Sequence, residues 1–146
     1  MNKTQIVAQL QLDEGFSAQS FWDNEQWTYG YGTKAPGPGK FIYKEEALKA
    51  LTERTDLAIA DFHDIYAGVV MNEVREHALV NMAFNLGKTK LRKFSAMNTA
   101  IRAGAWGTVA FEAFNSSWFK QLSKPGLKTI ERAERIVWEL LTGERG

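Results

Sequence analysis

Two carboxylic acids and a hydroxyl occur close together near the N-terminus, at Glu14, Asp23 and Thr28. They are followed by Gly30 and Gly32, which place little side-chain bulk beside them. In glycoside hydrolysis, one carboxylic acid protonates the leaving oxygen while a second carboxylate and a hydroxyl can hold water on the opposite side of the sugar. The types and spacing of these groups therefore favour glycosidase chemistry.

The first predicted helix must position Glu14. Asn2 or Thr4 can cap this helix, and Leu10 and Glu14 fall on one apolar face. Glu14 is then the last helical residue, with Gly15 as an αL stop. Apolar surroundings and the negative end of the helix dipole favour the neutral acid, which is the form that a general acid needs. The alternative is an ordinary acid at a helix end with no chemical role.

Residues 17–33 are predicted to form a small sheet. The stretch is rich in strand-forming aromatic residues, and Asp23, Asn24 and Glu25 form a turn signal, so we expect two or three short strands. Gly30 and Gly32 within a strand pattern indicate close approach of a ligand or of another backbone. The alternative is a hairpin kinked by glycine, without a ligand. Residues 36–39 then form a loop of alternating proline and glycine.

Helical spacing dominates the rest of the chain. Helices are predicted at about 43–66, 72–86, from Ser95 to near Gly104, 106–114 and 127–142. The predicted helix at about 43–66 is long enough to join an N-terminal β lobe to a C-terminal helical lobe, with a cleft between them.

Length and composition are those of one globular domain, because 146 residues with 45% hydrophobic content can bury a core. The absence of cysteine excludes disulfides and thiolate chemistry, and a net charge of +1 argues against nucleic-acid binding. The two histidines, His63 and His77, have no partner at metal-ligand spacing, and there is no phosphate-binding loop, so neither a metal nor a cofactor is expected. No apolar run is long enough to predict a signal peptide or membrane insertion.

Two further patterns have more than one interpretation. Five aromatic residues at helical spacing are assigned to the core rather than to a ligand stack: Trp106, Phe111, Phe114, Trp118 and Phe119. The basic run at residues 88–93 is predicted to be a solvated loop, and the alternative is contact with an anionic polymer such as a bacterial envelope.

Several segments, taken in order along the chain, resemble the phage-type lysozymes, glycoside hydrolase family 24. They include the acid-bearing segment, the threonine strand, a helix that borders the substrate cleft and the C-terminal helices, at 12–15, 28–32, 81–87, 106, 117–119, 132–135 and 142–143. Asp23 also has the family's spacing from Glu14. These segments extend over nearly the whole chain.

The resemblance implies an α+β, lysozyme-like fold of two lobes in a single domain over residues 1–146. The β lobe would be formed by about 15–42 and the helical lobe by 1–14 and 66–146, joined by a connecting helix at 43–65. The implied activity is hydrolysis of the β-1,4 bond between N-acetylmuramic acid and N-acetylglucosamine in peptidoglycan, with bacteriolysis as its result.

The resemblance also implies roles for individual residues. Glu14 would be the general acid, Asp23 would act on the opposite face of the sugar, and Thr28 would hold the attacking water. The substrate-binding residues would be Gly32, Lys34, Phe84 and Asn85, and Arg132 would pair with Glu14. The implied partner is the glycan strand of peptidoglycan. The protein would be a monomer that is made in the cytoplasm of a bacterial host without a signal peptide and acts on the wall after release.

The chain departs from the family pattern at several positions. Four residues separate Asp23 from Thr28, where the family usually has five, so Thr28 could be displaced. Thr33 stands where many members have histidine, and Lys34 and Met97 replace the usual side chains. A lytic transglycosylase and an inactive peptidoglycan-binding relative are the alternative functions. The stereochemical outcome at the sugar C1 atom is left open. A separation of about 6.5–9.5 Å between the two carboxyl groups would indicate inversion, and about 5–5.5 Å would indicate retention.

Overall fold

A computed structural model describes residues 1–146 and contains eight helices and one antiparallel sheet. In chain order the elements are α1 (Lys3–Glu14), β1 (Ser17–Trp22), β2 (Trp27–Gly30), β3 (Thr33–Lys34), α2 (Lys44–Ile65), α3 (Glu73–Leu86), α4 (Lys88–Arg92), α5 (Ser95–Arg102), α6 (Trp106–Phe114), α7 (Ser117–Leu122) and α8 (Thr129–Thr142). The predicted α+β class is confirmed. No helix is both long and apolar enough to cross a membrane.

The chain divides into two compact units, which we call the N-terminal unit (residues 2–57) and the C-terminal unit (residue 1 with residues 58–146). Residues 1–14 are predicted to belong to the helical lobe, whereas α1 belongs to the same compact unit as the sheet. One reason is a hydrogen bond within this unit, in which Gln11 Nε2 of α1 donates to Tyr31 Oη at 3.1 Å. The assignment of the whole chain to a single domain stays a prediction.

The ends of α1 follow the sequence signals, with one difference. Asn2 caps the helix as predicted, because its side chain accepts a hydrogen bond from the Gln5 amide at 3.2 Å. Leu10 is fully buried. Gly15 ends the helix at φ 66° and ψ 163°, so its φ is positive but its conformation is not the αL stop that we expected. The extended ψ leads the chain directly into β1, while the Gly15 amide still donates to the Gln11 carbonyl at 3.0 Å.

The sheet has the order β1-β2-β3 with antiparallel pairing throughout, which confirms the prediction of short strands. In its register, Thr28 of β2 lies opposite Phe21 of β1 and Lys34 of β3. A bulge between Ser17 and Phe21 interrupts the pairing of β1. β2 is therefore the central strand, and Thr28 lies between Phe21 and Lys34.

The helices predicted for the C-terminal unit are present, but two of them begin at other residues than predicted. Asn72 caps α3 through a hydrogen bond from the Arg75 amide at 3.0 Å, as predicted. Ser95 is the first residue of α5 rather than its cap, because Phe94 occupies that position and no side chain caps the helix. The last helix begins at Thr129 instead of residue 127.

The basic run at residues 88–93 is not the predicted loop, since most of it forms α4. Leu91 within the run is fully buried, and its carbonyl accepts a hydrogen bond from Asn98 Nδ2 at 2.9 Å. One buried leucine, one bond from α5 and the ion pairs of Lys88 and Arg92 with Asp64 of α2 therefore hold a segment whose other side chains are mostly charged.

The assignment of the five aromatic residues to the core is only partly correct. Trp118 and Phe119 are buried, whereas Phe111 and Phe114 are 61% and 53% exposed. The buried face of α6 is formed by smaller side chains, Val109, Ala110 and Ala113. Phe111 and Phe114 lie away from that face, and the Phe114 ring packs at 4.8 Å from the ring of Phe119.

Candidate active site

A pocket of about 360 Å³ in the N-terminal unit brings together four of the predicted site residues, Glu14, Asp23, Thr28 and Gly32. Glu14 is the last residue of α1, and Asp23 directly follows β1. Thr28 lies in β2, and Gly32 lies in the turn between β2 and β3. One helix end and one small sheet thus supply both carboxyl groups and the hydroxyl to a single pocket.

The Asp23 carboxylate organises the turn that follows β1. Its Oδ1 accepts hydrogen bonds from the backbone amides of Glu25 at 3.0 Å and Gln26 at 2.9 Å. Asn24, which lies between Asp23 and Glu25, has φ 82°, a left-handed conformation that asparagine tolerates better than most residues. The predicted turn signal is therefore confirmed, and it fixes one oxygen of Asp23.

The second oxygen of Asp23 binds Thr28. Thr28 Oγ1 donates to Asp23 Oδ2 at 2.7 Å, so the short spacing between these residues does not separate them. This hydrogen bond, followed by that from the Gln26 amide, lowers the pKa of Asp23 below its ordinary value of 3.8. Asp23 is therefore an anion at neutral pH. Because the Thr28 hydroxyl proton is used in this bond, the oxygen keeps its lone pairs to accept a hydrogen bond from water.

Gly32 lies so close to Glu14 that a larger residue would meet the acid. A Cβ atom at position 32 would stand 3.0 Å from Glu14 Oε2, and the backbone has φ +75°. Arg54 Nη1 holds this turn from α2, donating to the carbonyls of Gly32 at 3.1 Å and Tyr31 at 3.3 Å. The glycine therefore permits both the turn and the position of the acid.

Two aromatic residues that the sequence analysis did not assign to the site, Phe16 and Phe21, also line the pocket. Both are partly exposed, at 40% and 46%, and the Phe16 ring lies 5.3 Å from the ring of Tyr31. Alternation along β1 is not a reliable signal for them, because the strand has a bulge between Ser17 and Phe21 and Phe16 lines the same pocket as its neighbour Ser17. The pocket therefore has an apolar wall beside its carboxyl groups.

Lys34 is exposed and lies opposite Thr28 in the sheet, but it does not line this pocket. At the neighbouring position, where the resemblance leads us to expect histidine in many relatives, Thr33 Oγ1 is buried and has no hydrogen-bond partner. A role of Lys34 in substrate binding stays a prediction.

The other predicted site residues lie in the C-terminal unit. Asn85 Oδ1 accepts a hydrogen bond from Trp118 Nε1 at 2.9 Å, and Phe84 precedes it at the end of α3. Arg132 in α8 is buried, and its Nε donates to Asn81 Oδ1 at 2.8 Å. Contacts of Phe84 and Asn85 with sugar, and the pairing of Arg132 with Glu14, stay predictions.

The arrangement in the N-terminal unit provides a carboxyl group, a separate anionic carboxylate and a hydroxyl that can accept from water. No group of three or more histidine or acidic side chains in the structure could hold a metal ion. The described groups are sufficient for acid-assisted hydrolysis of a glycosidic bond.

Comparisons with known proteins agree with this chemistry. The family model described as phage lysozyme matches residues 11–134, a range that includes Glu14, Asp23, Thr28 and Arg132. The pre-baseplate central spike protein Gp5 of Enterobacteria phage T4 is 28% identical over an alignment of 166 residues. That alignment covers 94% of this chain and 28% of the spike protein, so the chain spans less than a third of this relative's length.

Proposed function

The chain belongs to the phage lysozyme family, and from this membership we propose that it is a muramidase that uses Glu14 as its general acid. The family supports a lysozyme-like glycoside hydrolase that acts on peptidoglycan. Our proposal adds the bond, which is the β-1,4 linkage between N-acetylmuramic acid and N-acetylglucosamine. The observation that carries it is the shared pocket of Glu14, Asp23 and Thr28.

In the proposed first step, Glu14 donates its proton to the glycosidic oxygen while the bond between that oxygen and the sugar C1 atom breaks. Positive charge then develops on the C1 atom and its ring oxygen. The Asp23 carboxylate is already anionic because hydrogen bonds from Thr28 and Gln26 lower its pKa. Its charge stabilises the developing positive charge.

In the proposed second step, a water molecule held by Thr28 Oγ1 adds to the C1 atom. The proton that this water loses passes to Asp23, so one water is consumed for each bond that is cut. Exchange with solvent afterwards restores the proton on Glu14 and removes it from Asp23. This inverting route requires a separation of about 6.5–9.5 Å between the two carboxyl groups.

Further residues, two of them not predicted from the sequence, receive supporting roles in this proposal. Phe16 and Phe21 offer partly exposed rings beside the acids, and sugar rings present C–H faces that pack on aromatic surfaces. Lys34, Phe84 and Asn85 are proposed to bind the glycan strand.

The direct test is release of reducing ends from purified peptidoglycan by the wild type and by Glu14→Gln. General acid catalysis contributes about 10²–10⁴-fold, so we expect a loss of that size. The matched control is Glu53→Gln, the same change at an exposed position of α2 in the same unit, which should keep wild-type activity. Retained activity in Glu14→Gln would remove Glu14 from its role.

Product analysis separates the muramidase from its alternatives. Mass spectrometry of muramidase products should show a gain of one water for each cut, whereas a lytic transglycosylase leaves an anhydro-muramic end without that gain. Binding to peptidoglycan with no release of reducing ends would indicate an inactive binder. Proton NMR of the newly formed anomer distinguishes inversion from retention.

A further inference from the structure

A second polar cavity, of about 540 Å³, lies in the C-terminal unit and has no part in the proposed hydrolysis. Its lining comes from the end of α2, from α4 and from α5: Asp64, Ile65, Arg92, Ser95, Asn98, Thr99 and Arg102. We call it the arginine cavity.

We propose that the arginine cavity binds phosphodiester groups of a polymer in which polyols are joined by phosphates. Arg92 and Arg102 supply guanidinium groups, whose planar donor forks match phosphate oxygens. Ser95 and Thr99 are four residues apart on α5 and add two hydroxyl donors on the same helix face. Two forks and two hydroxyls suit a group with several oxygens better than they suit a single carboxylate.

The charge of the cavity favours an anion despite the presence of Asp64. Arg92 Nη2 contacts Asp64 Oδ2 at 3.0 Å, and Lys88 Nζ binds the same oxygen. Lys88, and to a lesser degree Arg92, lower the pKa of Asp64, so this carboxylate stays charged and paired. The charged residues that line the cavity are Arg92, Arg102 and Asp64, so the lining has a surplus of one positive charge, and Lys88 outside the lining also pairs with Asp64.

The walls of the cavity are held in place before any ligand arrives. Asn98 is buried, and its Oδ1 accepts from Tyr66 Oη at 2.7 Å while its Nδ2 donates to the Leu91 carbonyl at 2.9 Å. Arg102 Nη2 also donates to the Ile65 carbonyl at 3.4 Å. These bonds join α5 to α4 and to the end of α2. Binding of a ligand would therefore cost little conformational entropy, because the site is already ordered.

Repeated phosphates fit better than a single ion because the positive charge continues beyond the cavity. Lys90 and Lys93 line a neighbouring cavity of about 620 Å³ in which Glu112 is the one acidic residue, and Ser95 lines both cavities. The basic run at residues 88–93 therefore presents cations to two adjoining cavities. Sites for single-stranded nucleic acid combine basic grooves with exposed rings on which bases stack. The arginine cavity contains no aromatic ring, and of the two rings that line the neighbouring cavity Trp118 is buried and Phe94 is half-buried. A polymer of polyol phosphates is thus favoured over nucleic acid.

The test is calorimetric titration of the full chain with poly(glycerol phosphate) at low salt. We expect Arg102→Gln and Arg92→Gln each to weaken binding about tenfold, because each removes a charge-assisted hydrogen bond. The matched control is Lys124→Gln, which removes an exposed positive charge from the same unit and should change binding less than about twofold. An equal loss in all three variants would indicate only non-specific charge attraction and would overturn the proposal.

Two further measurements distinguish a loss of the binding site from a loss of folding in the variants. Arg102→Lys keeps the charge but not the fork, so it should restore only part of the affinity, and full restoration would argue against the cavity. NMR signals of the Arg92 and Arg102 Nε–Hε groups should shift when the polymer is added to the folded wild type.

Competing ligands complete the test. Inorganic phosphate, single-stranded DNA and phosphatidylglycerol vesicles at equal phosphate concentration should each bind more weakly than the polymer. Equal or tighter binding of inorganic phosphate would reduce the cavity to a site for isolated ions. Equal or tighter binding of DNA or of vesicles would assign it to a different partner.

Discussion

The pocket of the N-terminal unit and the arginine cavity of the C-terminal unit differ in charge and in how their groups are held. The first presents carboxyl groups, and Asp23 and Thr28, which bond to each other, are five residues apart. The second presents guanidinium groups on walls from three helices, joined by a bond between Tyr66 and Asn98 that are 32 residues apart. Short-range bonds hold Asp23 and Thr28 of the first pocket, with Arg54 holding its Gly32 turn from 22 positions away, whereas the walls of the second are joined mainly by long-range bonds.

This difference determines what a mutation should do in each place. The Asp23 turn closes on itself through the amides of Glu25 and Gln26, so a change there alters local charge more than global stability. Asn98 joins distant parts of its unit while buried, so removing its side chain leaves other buried polar groups without partners. We therefore expect substitution of Asn98 mainly to lower the free energy of unfolding, and substitutions at the Asp23 turn mainly to change the charge and chemistry of the pocket.

The largest expected effect is that of Asn98→Ala. It removes two buried hydrogen bonds and leaves Tyr66 Oη without its acceptor, so we expect the free energy of unfolding to fall by about 3 kcal/mol. Urea denaturation measures this change. Asn115→Ala, at an exposed position, is the control and should change the free energy by less than about 0.5 kcal/mol. Equal stability of both variants would break the comparison.

A smaller effect is expected from Gly32→Ala. The methyl group would stand 3.0 Å from Glu14 Oε2 on a backbone with φ +75°, so both the acid and the turn must shift. We expect about a tenfold loss of peptidoglycan hydrolysis and about 1–2 kcal/mol of destabilisation. Gly37→Ala is a matched control, because a Cβ there meets no atom within 4 Å, and it should show neither effect.

The smallest effect concerns the pH dependence of Asp23. Thr28→Val removes the hydrogen bond that contributes most to lowering its pKa, so the carboxyl should titrate closer to 3.8. Carbon-13 NMR of the Asp23 carboxyl group measures the midpoint, and Thr28→Ser, which keeps the hydroxyl, should stay near the wild type.

The sign of the accompanying stability change follows from the direction of the shift. Because folding lowers the pKa of Asp23, its stabilising contribution is fully present above the unfolded value near 3.8 and is lost as the pH falls through the folded value. Thr28→Val should therefore flatten the loss of stability in acid. The difference will be small, because Asp23 is exposed to solvent. An unchanged midpoint in Thr28→Val would show that the turn amides alone hold the pKa low.

The features that could be predicted from the sequence are those whose causes lie within a few residues. The caps at Asn2 and Asn72 and the turn at Asp23 depend on side chains that bond to amides two or three positions away. The shared pocket of Glu14 and Asp23 follows once a helix end leads into a hairpin. The proposed chemical roles of Glu14, Asp23 and Thr28 come from the resemblance to the family.

The features that could not be predicted depend on contacts between distant residues. The helix α4 contains mostly charged side chains, and it is held by the burial of Leu91, the bond from Asn98 and the ion pairs of Lys88 and Arg92 with Asp64. The arginine cavity was missed for the same reason, since its two arginines are ten positions apart and the third wall is the end of α2. Exposure of Phe111 depends on which face of α6 finds neighbours, and spacing alone does not specify that face.

The left-handed backbone at Asn24 has a consequence for how this chain can vary. Only glycine, asparagine and aspartate enter that region at low cost, and the short turn leaves no spare residue to absorb a different conformation. In a library randomised at position 24 and selected for the proposed peptidoglycan hydrolysis, survivors should be restricted to these three types, although the side chain is exposed. Neutral drift at this surface position is thus limited by backbone geometry rather than by contact with substrate.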